Sequence, residues 1–172
     1  MKELKLVLPE EITKEQFDGF KQEFIDHHII EGIGSILEQD FETWQKQAID
    51  YRYGDRLPEG WVPATTFLSI RKSDGKLIGR IDVRHRLTEY LLQFGGHIGY
   101  GIRPSEQRKG YGKEQLTLAL EFCKEELKLD RVLITCSKAN TASAKTILSC
   151  GGILENEWDN GERITQRYWI KL

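Results

Sequence analysis

Gln107-Arg108-Lys109-Gly110-Tyr111-Gly112 stands between two segments of opposite character. Before it, His97 to Arg103 has the look of a strand that stops at Pro104. After it, Gly112 to Lys128 carries Leu116, Leu120, Cys123 and Leu127 in steps of four, three and four, the spacing of an amphipathic helix that packs on a sheet. Strand, glycine-bearing loop and helix in that order bring several backbone N–H groups and the positive end of a helix dipole to one point. That point is an anion site, most naturally for phosphate. Gly110 and Gly112 lack a Cβ, which lets the backbone take positive φ and approach a ligand oxygen closely. Arg108 and Lys109 add charge beside it.

The glycine spacing excludes two common phosphate ligands. A mononucleotide loop needs Gly-x-x-x-x-Gly-Lys-Ser/Thr and a dinucleotide fold needs Gly-x-Gly-x-x-Gly, whereas here Gly112 is followed by Lys113, Glu114 and Gln115 with no third glycine. The pattern that does fit is Gln/Arg-x-x-Gly-x-Gly/Ala. In it the segment resembles the pyrophosphate loop of the GNAT superfamily of N-acetyltransferases, which bind acetyl-coenzyme A. The likeness extends beyond the loop. His97-Ile98-Gly99-Tyr100-Gly101-Ile102-Arg103-Pro104 is similar to that family's fourth strand and Arg131 to Cys136 to its fifth. Asn140-Thr141-Ala142-Ser143 and Cys150-Gly151-Gly152 resemble its Asn-x-x-Ser and Gly-Phe landmarks. The resemblance is specific from His97 to Ile153 and architectural elsewhere.

Composition sets the remaining bounds. A chain of 172 residues reads as one domain, residues 1–172, able to bury about 70% of its unfolded surface. Its 25 basic and 27 acidic residues nearly cancel, so no global field draws in nucleic acid or a membrane surface. Arg103, Arg108, Lys109 and Lys113 form the one local basic patch. Three cysteines, Cys123, Cys136 and Cys150, lie in apolar segments without Cys-x-x-Cys spacing, and read as reduced thiols of a cytoplasmic protein with no metal site. No secretory leader or membrane-spanning run is expected.

Along the chain, Leu4 to Leu8 alternates as a strand. Thr13 and Gln16 form a capping box for a helix of about Lys14 to Ile29, with Phe17, Phe20, Phe24 and His28 on its apolar face. Gly32 and Gly34 break it. A second helix follows Asp40, with Phe41, Trp44, Ala48 and Tyr51 on one stripe. Trp44, Tyr51, Tyr53 and Trp61 are read as core residues before pocket residues. Val62 to Ile70 and Leu77 to His85 form a hairpin about Ser73-Asp74-Gly75-Lys76. Thr88 to Phe94 reads as a lid or single helical turn. Asn140 caps a last helix that ends near Gly151, and Asp159-Asn160-Gly161-Glu162 turns a C-terminal hairpin. The fold class is α/β, with a mixed, mainly antiparallel sheet of about seven strands and about four helices.

The resemblance implies three tasks. Holding the pyrophosphate falls to the backbone of Arg108 to Gly112, with Gln107, Arg108, Lys109, Tyr111 and Lys113 around it. Orienting the thioester arm falls to the free backbone of Ile102 and Arg103, with Gly99 and Gly101 leaving room and with Asn140 and Ser143 in support. Asn140 is equally a helix cap. For proton handling the sequence departs from the family, which often has a tyrosine about seven residues after that asparagine, where this chain has Ile147. Tyr100 is the substitute acid considered. His97 is the first base, followed by His85 and Glu89. The expected activity is acetyl transfer from acetyl-CoA to a small-molecule or peptide amine by direct attack, in a monomer or homodimer. The alternatives are a non-catalytic acyl-CoA-binding regulatory module and an RNA- or phosphoprotein-binding domain.

Overall fold

The structure is a computed structural model and describes residues 2–30 and 32–172. The strands are β1 (Leu4–Val7), β2 (Ala64–Arg71), β3 (Leu77–Arg84), β4 (Ile98–Ile102), β5 (Arg131–Ser137), β6 (Ile153–Asp159) and β7 (Ile164–Lys171). The α-helices are α1 (Lys14–Asp26), α2 (Phe41–Arg52), α3 (Tyr111–Glu125) and α4 (Thr141–Ser149). This α/β composition matches the seven strands and four helices read from the sequence.

The strands form two antiparallel sheets, β1-β2-β3-β4 and β5-β7-β6. They touch at one bridge, Gly96 with Ile134. Just beyond it His97 N–H donates to the Leu133 carbonyl at 2.7 Å, and from there β4 and β5 diverge. β4 pairs only with β3. Its other edge therefore keeps backbone groups that no strand takes up, opening a V-shaped cleft.

Alternation sorts side chains to the two faces of the first sheet. Ile81, Val83 and Ile98 pack with Leu116, Leu120 and Cys123 of α3 and with Val132, Ile134, Ile147, Tyr168 and Ile170. On the opposite face Leu68 and Ile70 meet Phe17, Phe20 and Phe24 of α1 and Phe41 and Trp44 of α2. The capping box at α1 is present in both directions: Thr13 Oγ1 accepts from Gln16 N–H at 3.2 Å, and Gln16 Oε1 accepts from Thr13 N–H at 2.9 Å.

α1 stops at Asp26, earlier than the apolar periodicity suggests. His28 takes a left-handed conformation, φ +54°, and is exposed, so it never joins the apolar stripe. Trp44 is buried in the core, whereas Tyr53 and Trp61 are 70% and 59% exposed. Residues Leu91–Gly95 form one turn of π-helix, docked on the second sheet where Thr135 Oγ1 donates to the Phe94 carbonyl at 2.7 Å. No helix of the described residues is long and apolar enough to cross a membrane.

Candidate active site

Gly110 is the hinge of the anion loop. It caps α3 in the left-handed conformation, φ +88°, where a Cβ would be strained, and nothing lies within 4 Å of the position a Cβ would take. The first intrahelical bond runs from Glu114 N–H to the Gly110 carbonyl at 3.2 Å. The N–H groups of Tyr111, Gly112 and Lys113 therefore have no acceptor within the helix. Arg108 is also left-handed, φ +62°. The Gln107 amide closes the loop by donating to the Ile102 carbonyl at 3.1 Å.

A groove of about 690 Å³ runs from this loop between β4 and α4. Its walls include Ile102, Gln107, Arg108, Gly110, Gly112 and Lys113 on the loop side, and Thr141, Ala142, Lys145 and Thr146 on α4. A second cavity of about 290 Å³ continues between β4 and β5, bounded by Gly99, Thr135, Cys136, Ser137 and Arg163. Gly32, Tyr100, Asn140 and Ser143 line both. These four form the waist at which the contents of one cavity meet the contents of the other. Asn140 caps α4, its Oδ1 accepting from Ser143 N–H at 3.0 Å.

Tyr100 projects from β4 toward α4. Its hydroxyl lies 3.0 Å from Ser143 Oγ and donates to the Ser143 carbonyl at 3.3 Å. Burial pushes the phenol up to about 12, so it is a proton-bearing donor at neutral pH. Ile147, where a tyrosine was sought, is fully buried in the core.

The two cleft glycines have different duties. Gly99 meets open space and borders the smaller cavity. Gly101 lines the larger groove with its backbone, but the space its missing side chain leaves is already filled: a Cβ there would lie 2.6 Å from the Gly32 carbonyl, and a Cβ on Gly32 would lie 2.6 Å from the Tyr100 carbonyl. The α1–α2 connection thus rests directly on the backbone of β4.

Several candidates drawn from the sequence stand elsewhere. Arg103 is spent on the fold: its N–H donates to the Ile78 carbonyl at 2.7 Å, and its buried guanidinium pairs with Glu23 at 2.8 Å and donates to the Leu77 carbonyl at 3.0 Å. Lys109 turns back to Glu106 at 3.0 Å. The Tyr111 ring is buried, with its hydroxyl on Glu3 at 3.0 Å, so only its backbone serves the loop. Sequence periodicity cannot foresee these because Glu3, Glu23 and Leu77 are distant in the chain.

The base candidates are likewise displaced. His97 is 5% exposed, and its Nδ1 accepts from Leu133 N–H at 3.0 Å. Desolvation, with Arg84 nearby, pushes the ring down to about 4. Its basic lone pair is occupied by the junction between sheets, which makes it a structural bridge. His85 hydrogen-bonds Thr65 Oγ1 at 2.8 Å and Glu89 is exposed, and neither lines the groove or the smaller cavity. Asp82 sits opposite Gly99 in register, but its carboxylate is taken by Thr66 Oγ1 at 2.6 Å and by Arg80. Lys145 and Thr146 of the groove went unread, their only signal being their place on the helix that Asn140 caps.

A left-handed glycine at a helix start, free N–H groups, and a strand edge splayed from its neighbour fit a long ligand with phosphate at one end and amides along its arm. That fit defines an acyl-CoA-dependent acyltransferase. The family model for the acetyltransferase (GNAT) domain matches residues 14–153; the chain belongs to the GNAT family of N-acetyltransferases, whose acyl donor is acetyl-CoA. The uncharacterized N-acetyltransferase YnaD of Bacillus subtilis (strain 168) is 27% identical over 130 residues, covering 67% of this chain and 76% of YnaD. Ribosomal-protein-S5-alanine acetyltransferase from Vibrio fischeri superposes with a TM-score of 0.70 at 17% identity, covering 99% of this chain and 94% of its own. Mycobacterium smegmatis RimJ in complex with CoA-disulfide gives 0.69 at 18% identity, over 98% and 81%. At these identities the structural likenesses speak to the fold.

Proposed function

We propose that the whole chain, residues 1–172, acts as one N-acetyltransferase domain that passes the acetyl group of acetyl-CoA to a primary amine by direct attack in a ternary complex. The observation that carries this reading is the waist at Tyr100, Asn140 and Ser143, shared by a phosphate-side groove and a separate cavity on the β4–β5 side. Donor and acceptor reach one point from two directions.

Bound acetyl-CoA supplies an activated thioester carbonyl. Backbone N–H groups of Tyr111 to Lys113 take the pyrophosphate, helped by Arg108, Lys113 and Lys145, and the free edge of β4 at Tyr100 to Ile102 pairs with the amide arm. Tyr100 meets the departing sulfur. A phenol near 12 stands roughly 3.5 units above an ordinary thiol at about 8.5. The proton therefore stays on Tyr100, which stabilises the thiolate as a hydrogen-bond donor without transferring its proton. With His97 bonded into the sheet, the ammonium loses one proton to water before attack, the free amine adds to the carbonyl, and its second proton also passes to water as the C–S bond breaks and the thiolate leaves.

Covalent transfer through a cysteine is disfavoured. Burial pushes Cys123 up to about 12 and raises Cys136 as well, which keeps both thiols protonated and weakly nucleophilic.

Calorimetric titration of acetyl-CoA and of CoA into the wild type and Gly110→Trp tests the loop directly. Binding to the wild type and loss in the variant is the expected result, followed by thiol release over a panel of amines. Equal binding by both proteins would move the phosphate site elsewhere. Tight CoA binding with no thiol release from any amine would favour the regulatory-module reading.

A further inference from the structure

Among the described residues, Arg163 is the one charged side chain on the wall of the smaller cavity. It lies at the end of the hairpin joining β6 to β7, where its backbone N–H donates to Asn160 Oδ1 at 2.8 Å. Its guanidinium has no hydrogen-bond or ion-pair partner among the described residues. Neighbouring arginines are all engaged: Arg167 pairs with Glu155, Arg84 donates to the Gly95 and Gly96 carbonyls at 3.1 Å, and Arg80 pairs with Asp82. Two acidic residues of the same hairpin are engaged elsewhere, Glu157 with Lys138 at 3.0 Å and Asp159 accepting from Gly161 N–H at 2.8 Å, and the adjacent Glu162 forms no ion pair with Arg163.

The lining around Arg163 is short and polar where it faces the acceptor. Thr135 and Ser137 alternate on β5 with Cys136, and Ser137 pairs in register with Thr165, two residues beyond Arg163 in the chain. Gly99 opposite them has open space in place of a side chain. Among the described residues no carboxylate lines this cavity. Among the described lining residues a cationic di- or polyamine would meet no carboxylate to hold its second charge, whereas an anion would meet a forked donor with hydroxyl groups beside it.

Building on the acetyl-transfer reading above, we propose that the acceptor is an amine that also carries a carboxylate, and that Arg163 binds this carboxylate while the amine points to the waist at Tyr100 and Ser143. The carboxylate belongs to a free amino acid or to an acidic residue near a peptide N-terminus; both offer the same planar anion to the guanidinium. In either case Arg163 sets specificity and touches no reacting atom.

The test compares matched acceptors: an amino acid against its amide, and a peptide beginning with an acidic residue against its Asn/Gln counterpart. Thiol release is followed with wild type, Arg163→Gln and Arg163→Glu, after calorimetry has established CoA binding by each. The expected result is a preference for the carboxylate member in wild type of roughly tenfold or more in kcat/KM, carried by KM. It falls to about one in Arg163→Gln and reverses in Arg163→Glu. A preference in the first pair alone identifies free amino acids, and in the second pair alone acidic peptides. CoA binding with turnover that ignores the carboxylate, or a wild-type preference that survives in both variants, overturns the acceptor assignment and leaves acetyl transfer standing. CoA binding without turnover of any member also overturns it. Failure to bind CoA removes the acetyl-transfer reading itself.

Discussion

The Tyr100 hydroxyl and Ser143 Oγ lie 3.0 Å apart across the cleft, one on β4 and the other in the first turn of α4. This contact bridges β4 and α4 across the groove between them. Replacing Tyr100 by Phe removes the donor and leaves the ring packing. We expect kcat to fall about tenfold with little change in the KM for acetyl-CoA, consistent with losing one hydrogen bond to a developing charge. Thiol release measured at saturating donor checks this. An unchanged kcat would mean that water alone receives the thiolate.

Gly32 and Gly101 set the distance between the α1–α2 connection and β4. Gly32 holds φ +83°, and a Cβ there would lie 2.6 Å from the Tyr100 carbonyl. Gly32→Ala should cost about 2 kcal/mol or more, from left-handed strain and the forced displacement together. Chemical denaturation reads the loss. Activity per folded molecule should also fall, because the displaced backbone carries Tyr100.

Glu106 is 4% exposed and gathers Lys76 at 2.7 Å, Arg71 at 3.0 Å and Lys109 at 3.0 Å. Hydrogen bonds from Lys76 first, then Lys109, with the charges around them, hold its carboxyl at about 2, against an ordinary 4.5. A depressed carboxylate contributes stability that is complete above about pH 4.5 and is lost as pH falls toward 2. Glu106→Gln should therefore lower stability at pH 7 by about 2 kcal/mol, since three cations lose a buried partner and remain partly solvated. The gap between wild type and variant should close on acidification, which denaturation at pH 7, 4 and 2.5 would reveal.

His97 gives a second signature of the opposite kind of group. Its ring is near 4 when folded and near 6.5 when free, so folding favours the neutral form. The stability it contributes is present above about pH 6.5 and drains away as pH falls toward 4. His97→Ala should lose about 2 to 4 kcal/mol, from the unsatisfied Leu133 N–H and the space left in the sheet junction. The pH profile of kcat/KM should break at the pKa of the acceptor amine and show no added break near 6.5. A break that stays near 6.5 with amines of different basicity would restore a histidine base.

The loop, the last two strands of the cleft and the cap of α4 were legible because their chemistry is local. Gly110 announces a left-handed turn whatever surrounds it, Asn140 reaches an N–H three residues on, and the periods of α3 and β5 repeat within the segment. The same locality explains the failures. His97 looks like a base in sequence, yet burial in the sheet junction, with Arg84 nearby, lowers its proton affinity, and its Nδ1 is taken by Leu133 N–H; those two residues lie 13 and 36 positions away. Arg103 belongs to a basic patch on paper and to Glu23 in space. Gly101 reads as ligand room and is filled by Gly32.

What the sequence by itself determined was the family and the anion-binding character of the loop, since a helix start with two glycines and flanking cations carries free N–H groups and a positive dipole end as a local property. Only the tertiary structure decided which side chains line the two cavities. Residues such as Tyr100, Ser143, Lys145 and Arg163 come from three separate parts of the fold, β4, α4 and the β6–β7 hairpin, and their convergence depends on two sheets parting at Gly96 and His97. That angle is fixed by packing and hydrogen bonds between segments far apart in the chain, which no local pattern encodes.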